Sequence, residues 1–167
     1  MITLRKIVVP TDLSEYSLAA IDYASTLCLL YGARLFVLYV EDIVPPPMYS
    51  THLPDFRGEN FRQQVEAQAH RSLEQFAARN INADLKAHLT VRIGHPVDEI
   101  IRFAKKEEMD MIVMATHGRT GLKHVLMGSI AEKVVRTSGI PVLTVKPHPL
   151  RESVVSRSDV EDELHIH

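Results

Sequence analysis

Met111-Ile112-Val113-Met114-Ala115-Thr116-His117-Gly118 is a run of five apolar residues that ends in a polar elbow. A short unbroken apolar run bounded by a turn has the pattern of a strand buried on both faces of a parallel sheet. Lys6-Ile7-Val8-Val9, closed by Pro10-Thr11-Asp12, repeats the pattern near the start of the chain. Leu35 to Val40 is a further fully apolar strand, and Pro141 to Lys146 a fifth. The third is different. Leu85, Ala87, Leu89, Val91 and Ile93 alternate with Lys86, His88, Thr90 and Arg92, which predicts a strand with one wet face at a sheet edge.

Helical spacing fills the intervals. Leu18, Ile21, Ala24, Cys28 and Tyr31 share one face, with Asp12 and Glu15 spaced as a capping pair and Gly32 as the stop. Residues 59 to 79 carry a thin apolar stripe (Phe61, Val65, Leu73, Phe76), as a surface helix does. Pro96 opens a helix with Asp98 and Glu99 in its first turn and Lys105 and Lys106 in its last. Ile130, Val134 and Val135 mark a final helix, stopped by Gly139. Strands alternating with helices imply right-handed crossovers and a parallel sheet covered on both faces. If the elbows after the first and fourth strands face each other, those strands are neighbours. The expected fold is a Rossmann-like three-layer α/β/α sandwich, five parallel strands in the order 3-2-1-4-5. Its ligand crevice would lie at the reversal between strands one and four.

Composition narrows the class. The chain has 167 residues, 46% hydrophobic and 24% charged, with a formal net charge of -2. That suits one domain with one sizeable core and gives no basic footprint for nucleic acid. No apolar run is long enough for a bilayer, and the opening MITLRKIVVPTD, whose short apolar run leads straight into a turn, is not expected to act as a signal peptide. A single cysteine, Cys28, excludes an internal disulfide. Together these point to the cytoplasm, with no nucleic-acid or membrane partner. Residues 1–147 are expected to form the domain, and the polar, net acidic residues 148–167 a loose tail. Residues 41 to 58, with Pro45-Pro46-Pro47, Pro54 and Gly58, read as a long irregular loop of the lid or binding type.

The chemistry concentrates between Ala115 and Ser129, a loop from a strand end to a helix start containing Gly118, Gly121 and Gly128. Glycines let backbone approach an anion closely, and free amides at a helix start favour phosphate. Ser129 adds a hydroxyl. A purely structural reading stands beside this one. Ser129 and Glu132 have capping-box spacing, and Gly118 and Gly121 could simply make turns.

Here the chain resembles the universal stress protein family. Nucleotide-binding members carry glycine, two residues, glycine, nine residues, glycine, then serine or threonine. This chain has Gly118, nine residues, Gly128 and Ser129, with Ala115 at the first glycine position. LRKIVVPTDLSEYS, GHPVDEII at 94 to 101 and GIPVLTVK at 139 to 146 are similar as well, so the resemblance spans residues 3 to 147. It implies a fold of the adenine nucleotide alpha hydrolase-like kind and binding of ATP, or ADP or AMP, with Mg2+. Pro10 and Asp12, with Thr11 between them, would border the adenosine, and Asp12 would reach the ribose. The Val40 backbone would meet the adenine, and Met114 and Ala115 would lie under the nucleotide. Gly118, Gly128, Ser129 and Ile130 would hold the phosphates. The resemblance also implies a homodimer paired through residues 140–146, a bare edge that would otherwise invite uncontrolled pairing.

Other signals carry less. Cys28 falls on an apolar helix face and reads as core. His117 and His124 read as exposed loop residues, and His165 and His167 as tail residues rather than metal ligands. Arg119 and Lys123 either face phosphates or solvate the loop. Asp12 either caps its helix or meets the ribose. No Ser/His/Asp order, paired carboxylates, HExxH motif or Walker lysine appears, so no residue is assigned to catalysis. Three functions remain in view. The leading one is a dimeric, nucleotide-binding stress-response module acting through an unknown protein partner. The others are a weak ATPase or self-phosphorylating enzyme, and a ligand-free interaction protein of the same fold. A phosphorelay receiver is rejected. It needs an acidic pair after strand one, where Asp12 stands alone, and an acceptor aspartate after strand three, which ends Val91-Arg92-Ile93-Gly94.

Overall fold

The computed structural model describes residues 3–42, 59–117 and 127–146. Five strands form one parallel sheet: β1 Lys6–Thr11, β2 Arg34–Glu41, β3 His88–Ile93, β4 Met111–Ala115 and β5 Val142–Val145. Their order is β3-β2-β1-β4-β5, the order the two elbows predict. Helices α1 Leu18–Tyr31, α2 Glu59–Asn80, α3 Pro96–Lys106 and α4 Ser129–Thr137 supply the crossovers. Period-two alternation then divides the core. Ile7, Val9, Val37, Val113 and Val145 point with α1 and α2 into one buried cluster. Val8, Leu38, Ile112 and Met114 point with α3 and α4 into the other.

Three elements differ from the sequence pattern, each for a local reason. Strand three begins at His88, not Leu85. Ala83–Leu85 is a 3-10 turn whose Asn82 side chain accepts from the Asp84 amide at 2.9 Å, and Lys86 closes it at φ 46°. The apolar alternation simply continues through that turn. Asp12 and Glu15 do not make a capping pair. Asp12 Oδ1 accepts from the Ser14 amide at 3.1 Å and from its hydroxyl at 2.5 Å, the chain makes a 3-10 turn over Glu15–Ser17, and α1 starts at Leu18. The last helix is capped by Gly128 and ends at Thr137, before Gly139. Glycine has no side chain to cap with, so the capping box suggested by Ser129 and Glu132 does not form. Gly32 does stop α1, at φ 65°.

The β1–β4 seam positions everything that follows. Its ladder joins only Ile7 to Met111 and Val8 to Ile112, whereas β4 stays paired with β5 from Ile112 to Ala115. The carbonyl of Arg5 accepts from Arg34 beside β2, and that of Lys6 accepts from Asp110 beside β4. By alternation the Pro10 backbone faces β4, two residues beyond the last pair. A missing N–H costs nothing there, so β1 runs on through Pro10 and Thr11 while the two strands part. The opposite end of the seam is tied shut. Asp110 Oδ2 accepts from the amides of Arg5 at 2.7 Å and Lys6 at 2.8 Å.

Candidate functional site: a cleft at the switch point

The parting of β1 and β4 opens a cleft of about 380 Å3 at the carboxyl end of the sheet, within the usual range for a small-molecule site, roughly 300–1,000 Å3. Of the eleven residues expected to bind, nine line it together: Pro10, Thr11, Asp12, Val40, Met114, Ala115, Gly128, Ser129 and Ile130. Gly118 and Arg119 lie outside the described residues, as do Gly121, Lys123, His124, the 43–58 loop and the tail from Pro147. The lining also includes residues that the sequence did not single out, among them Leu38, Tyr39, Pro96 and Ile100. They come from β2 and α3, and only the crossovers bring them here. A glycine pattern cannot report them.

The first elbow is locked by its own side chains. The buried Thr11 hydroxyl bonds the Ser17 hydroxyl at 2.8 Å and accepts from the Leu13 amide at 3.0 Å, while Leu13 holds φ 63°. A leucine rarely adopts that backbone, so the two hydroxyls and Asp12 act as a brace. Thr11 shapes the elbow with its hydroxyl, and the Asp12 carboxylate sits half-buried at the cleft.

The second elbow is locked by backbone. The Thr116 amide donates to Val145 at 2.8 Å, and the Thr116 carbonyl accepts from the Gly128 amide at 2.7 Å. Thus residues 116 and 128 are pinned together, and α4 starts directly above the end of β4. The Gly128 amide is engaged in this pin. The first-turn amides of Ser129, Ile130 and Ala131 precede the first intrahelical bond, which runs from Glu132 to Gly128. They are the helix-start donors available to an anion. The pin also explains the glycine. A Cβ at residue 128 would stand 3.2 Å from the Thr116 oxygen.

Apolar walls face these donors. Leu38, Val40, Ile100, Met114 and Ala131 belong to the α3–α4 cluster and line the cleft. The methyl of Ala115 points the other way, packing with Val113 and Val145 in the α1 cluster. We therefore expect Ala115→Gly to change nucleotide affinity by less than about tenfold, or about 1.4 kcal/mol. Titration of both forms with ATP and magnesium checks this. A native chain that binds nothing beside a tightly binding glycine variant would make Ala115 a disabling residue and this chain ligand-free. The charged lining is acidic: Asp12, Glu41 and Asp42, with Glu41 accepting from the Tyr39 hydroxyl at 2.6 Å. Among the described lining residues there is no lysine or arginine. His117 is half-buried beside them, its Nδ1 2.9 Å from the Thr116 hydroxyl, not a freely exposed loop residue.

Cys28 is core, as its helix face suggests. It is 2% exposed, and burial pushes its thiol up to about 12.

The glycine of the GHPVDEII segment has a separate task. Gly94 takes φ 150°, its amide donates to the Glu41 carbonyl at 3.0 Å, and a Cβ there would meet Glu99 Cγ at 3.1 Å. It lets β3 turn into α3 over a buried carboxylate that Arg102 holds by an ion pair.

Fold and cleft together define a doubly wound parallel α/β domain whose open site lies between its central strands. The chain belongs to the universal stress protein family, whose model matches residues 3–146. It is 34% identical to universal stress protein MJ0531 of Methanocaldococcus jannaschii over 143 residues, 85% of this chain and 82% of that protein. Protein MJ0577 of the same organism, whose solved structure served a structure-based assignment of biochemical function, superposes with a TM-score of 0.70 at 27% identity. The match covers 89% of this chain and 99% of that one. A universal stress protein solved in complex with cAMP shares the fold at a TM-score of 0.53 and 23% identity, over 87% of this chain and 99% of its own.

Proposed function

We propose that this chain binds an adenine nucleotide in the β1–β4 cleft and acts as a dimeric stress-response module. The supporting observation is the pairing of an apolar slot, walled by Val40, Ile100 and Met114, with three first-turn amides of α4 beside it. A flat base suits the first and a phosphate the second. A family member in complex with cAMP uses the same ligand class.

In this reading Pro10, Thr11 and Asp12 border the adenosine and Asp12 takes the ribose. The Val40 backbone meets the base, with Met114 and Ala115 beneath. Ser129 and Ile130 meet phosphate, joined by Ala131. Gly128 acts by placing them, and Gly118 and Arg119 complete the phosphate side. Magnesium enters for an electrostatic reason. Three carboxylates line the described part of the cleft, and they repel a bare triphosphate. A divalent cation carried with the nucleotide offsets that repulsion.

The test is calorimetry of the purified chain with ATP, ADP, AMP and cAMP, with and without magnesium, alongside mass spectrometry of nucleotide retained through gentle purification. Binding of at least one adenine nucleotide, with ATP affinity falling when magnesium is removed, is the expected result. No binding under any condition overturns the reading.

The dimer is assigned to residues 140–146. β5 is the edge strand, with Val142, Leu143 and Thr144 only half-buried. A strand left bare at a sheet edge is a template for pairing. Light scattering at tens of micromolar, where specific interfaces usually hold, should report twice the chain mass of 18.9 kDa. A monomer there removes the assignment.

A further inference from the structure

Among the described residues no element covers the wet face of β3, and that face is basic. On one side α2 packs over Leu89 and Val91. On the other, α3 lies over β2, leaving His88 exposed and Thr90 and Arg92 half-exposed. Arg34 of β2 shares this face, because register pairs Phe36 with His88 and Val40 with Arg92. The His88 ring stacks on Phe36 at 4.7 Å, the Arg34 guanidinium lies 5.9 Å from the Phe36 ring centre, and that of Arg92 lies 5.6 Å from the Phe103 ring. Arg102 of α3 stands at the border and is already paired with Glu99. Among the described residues, the ion pairs include neither Arg34 nor Arg92. Two arginines held over rings, with no ion-pair partner among the described residues, make a shelf suited to an anionic segment.

We propose that this shelf docks the chain's own acidic segment 159–163. Asp159, Glu161, Asp162 and Glu163 put four carboxylates into five residues, with Val160 and Leu164 as apolar neighbours. Charge complementarity selects it, and reach permits it. Crossing from β5 to β3 is four strand spacings, about 19 Å. The thirteen steps from Lys146 to Asp159 span up to about 43 Å when extended. Tethering raises the segment's effective concentration at the shelf to the millimolar range, enough for a weak ionic contact to be populated.

The full chain supplies the test. Cys28 is buried and stays unlabelled, so Ser158→Cys accepts a nitroxide alone. Its paramagnetic broadening of backbone amides then maps the segment. The expected result is broadening at residues 88–92 and along α3 that does not change with protein concentration. It should disappear in about 1 M NaCl, where the Debye length is about 3 Å. It should also disappear when Asp159, Glu161, Asp162 and Glu163 become Asn, Gln, Asn and Gln, with the amide spectrum of residues 3–42 and 59–117 otherwise unchanged. Arg34→Glu with Arg92→Glu should abolish it from the other side. Broadening centred on Thr116, His117 and Ser129 would place the segment in the cleft, and no broadening would leave the shelf empty. Broadening only in mixtures of labelled and observed molecules would assign it to a second copy. Each of these three outcomes overturns the proposal.

Discussion

Gly128→Val is expected to weaken adenine-nucleotide binding by at least tenfold, about 1.4 kcal/mol, while the chain remains folded. The reason lies in the pin between the two elbows. Residue 128 has φ -67° and ψ 154°, which a valine backbone tolerates, so the substitution is not a conformational insult. The conflict is spatial. The new Cβ meets the Thr116 carbonyl oxygen at 3.2 Å, and that oxygen also accepts the 2.7 Å bond from residue 128. One partner must shift by a few tenths of an ångström. β4 is held by β1 and β5, whereas the first turn of α4 has exposed Ser129 and Ile130, so the helix start yields. The amides of Ser129, Ile130 and Ala131 then move off their aim, and overpacking costs about 1–3 kcal/mol of stability. Calorimetry together with denaturant unfolding separates the two effects. A folded variant that keeps native ATP affinity would remove α4 from the binding site.

Asp110→Ala should lower unfolding stability by about 2–3 kcal/mol without touching the cleft. One carboxylate oxygen accepts from two successive amides, those of Arg5 and Lys6, at the closed end of the β1–β4 seam. Bonds to a charged acceptor are worth about 1.5–3 kcal/mol each, the exposed Arg5 amide can turn to water, and the part-buried Lys6 amide left without a partner adds a penalty. Asp110→Asn keeps one carbonyl oxygen and should fall between the variant and the native chain. Urea unfolding measures the difference. An alanine variant within about 0.5 kcal/mol of native would show that the seam holds through its ladder and core alone. Nucleotide affinity should stay native, because the clamp lies at the opposite end of β4 from Ala115.

The two glycine-related expectations show where reading residues in order succeeds and where it stops. Spacing brought Gly128 to notice, and the cleft includes it. Its stated role as a phosphate contact came from resemblance, and the geometry assigns its amide to Thr116 instead. Ala115 departs from a glycine pattern. The face its methyl occupies follows from strand alternation, which places residue 115 with Val113 and away from Met114. Pro96 and Ile100 carried no signal of a site at all. Pro96 reads as a helix start, which it is, and Ile100 lies one turn further along that helix.

The sequence by itself determined the types of the main elements, and their order in space once the two elbows were set face to face. Short apolar runs bounded by turns have the pattern of strands covered on both faces, right-handed crossovers restrict how they connect, and Gly32 and Pro96 mark helix boundaries by backbone chemistry alone. Period-two alternation also announced the wet face of β3. Only the tertiary structure decided which groups converge. The β1–β4 ladder stops after Val8, Pro10 is tolerated beyond it because its missing N–H faces no partner, and the parting of the two strands makes the cleft. Asp110, Thr116 and Arg92 acquire their partners across 105, 12 and 11 positions of chain. Local pattern is set by interactions among near neighbours, whereas hydrogen bonds and ring contacts across strands depend on register, which exists only once the sheet has formed.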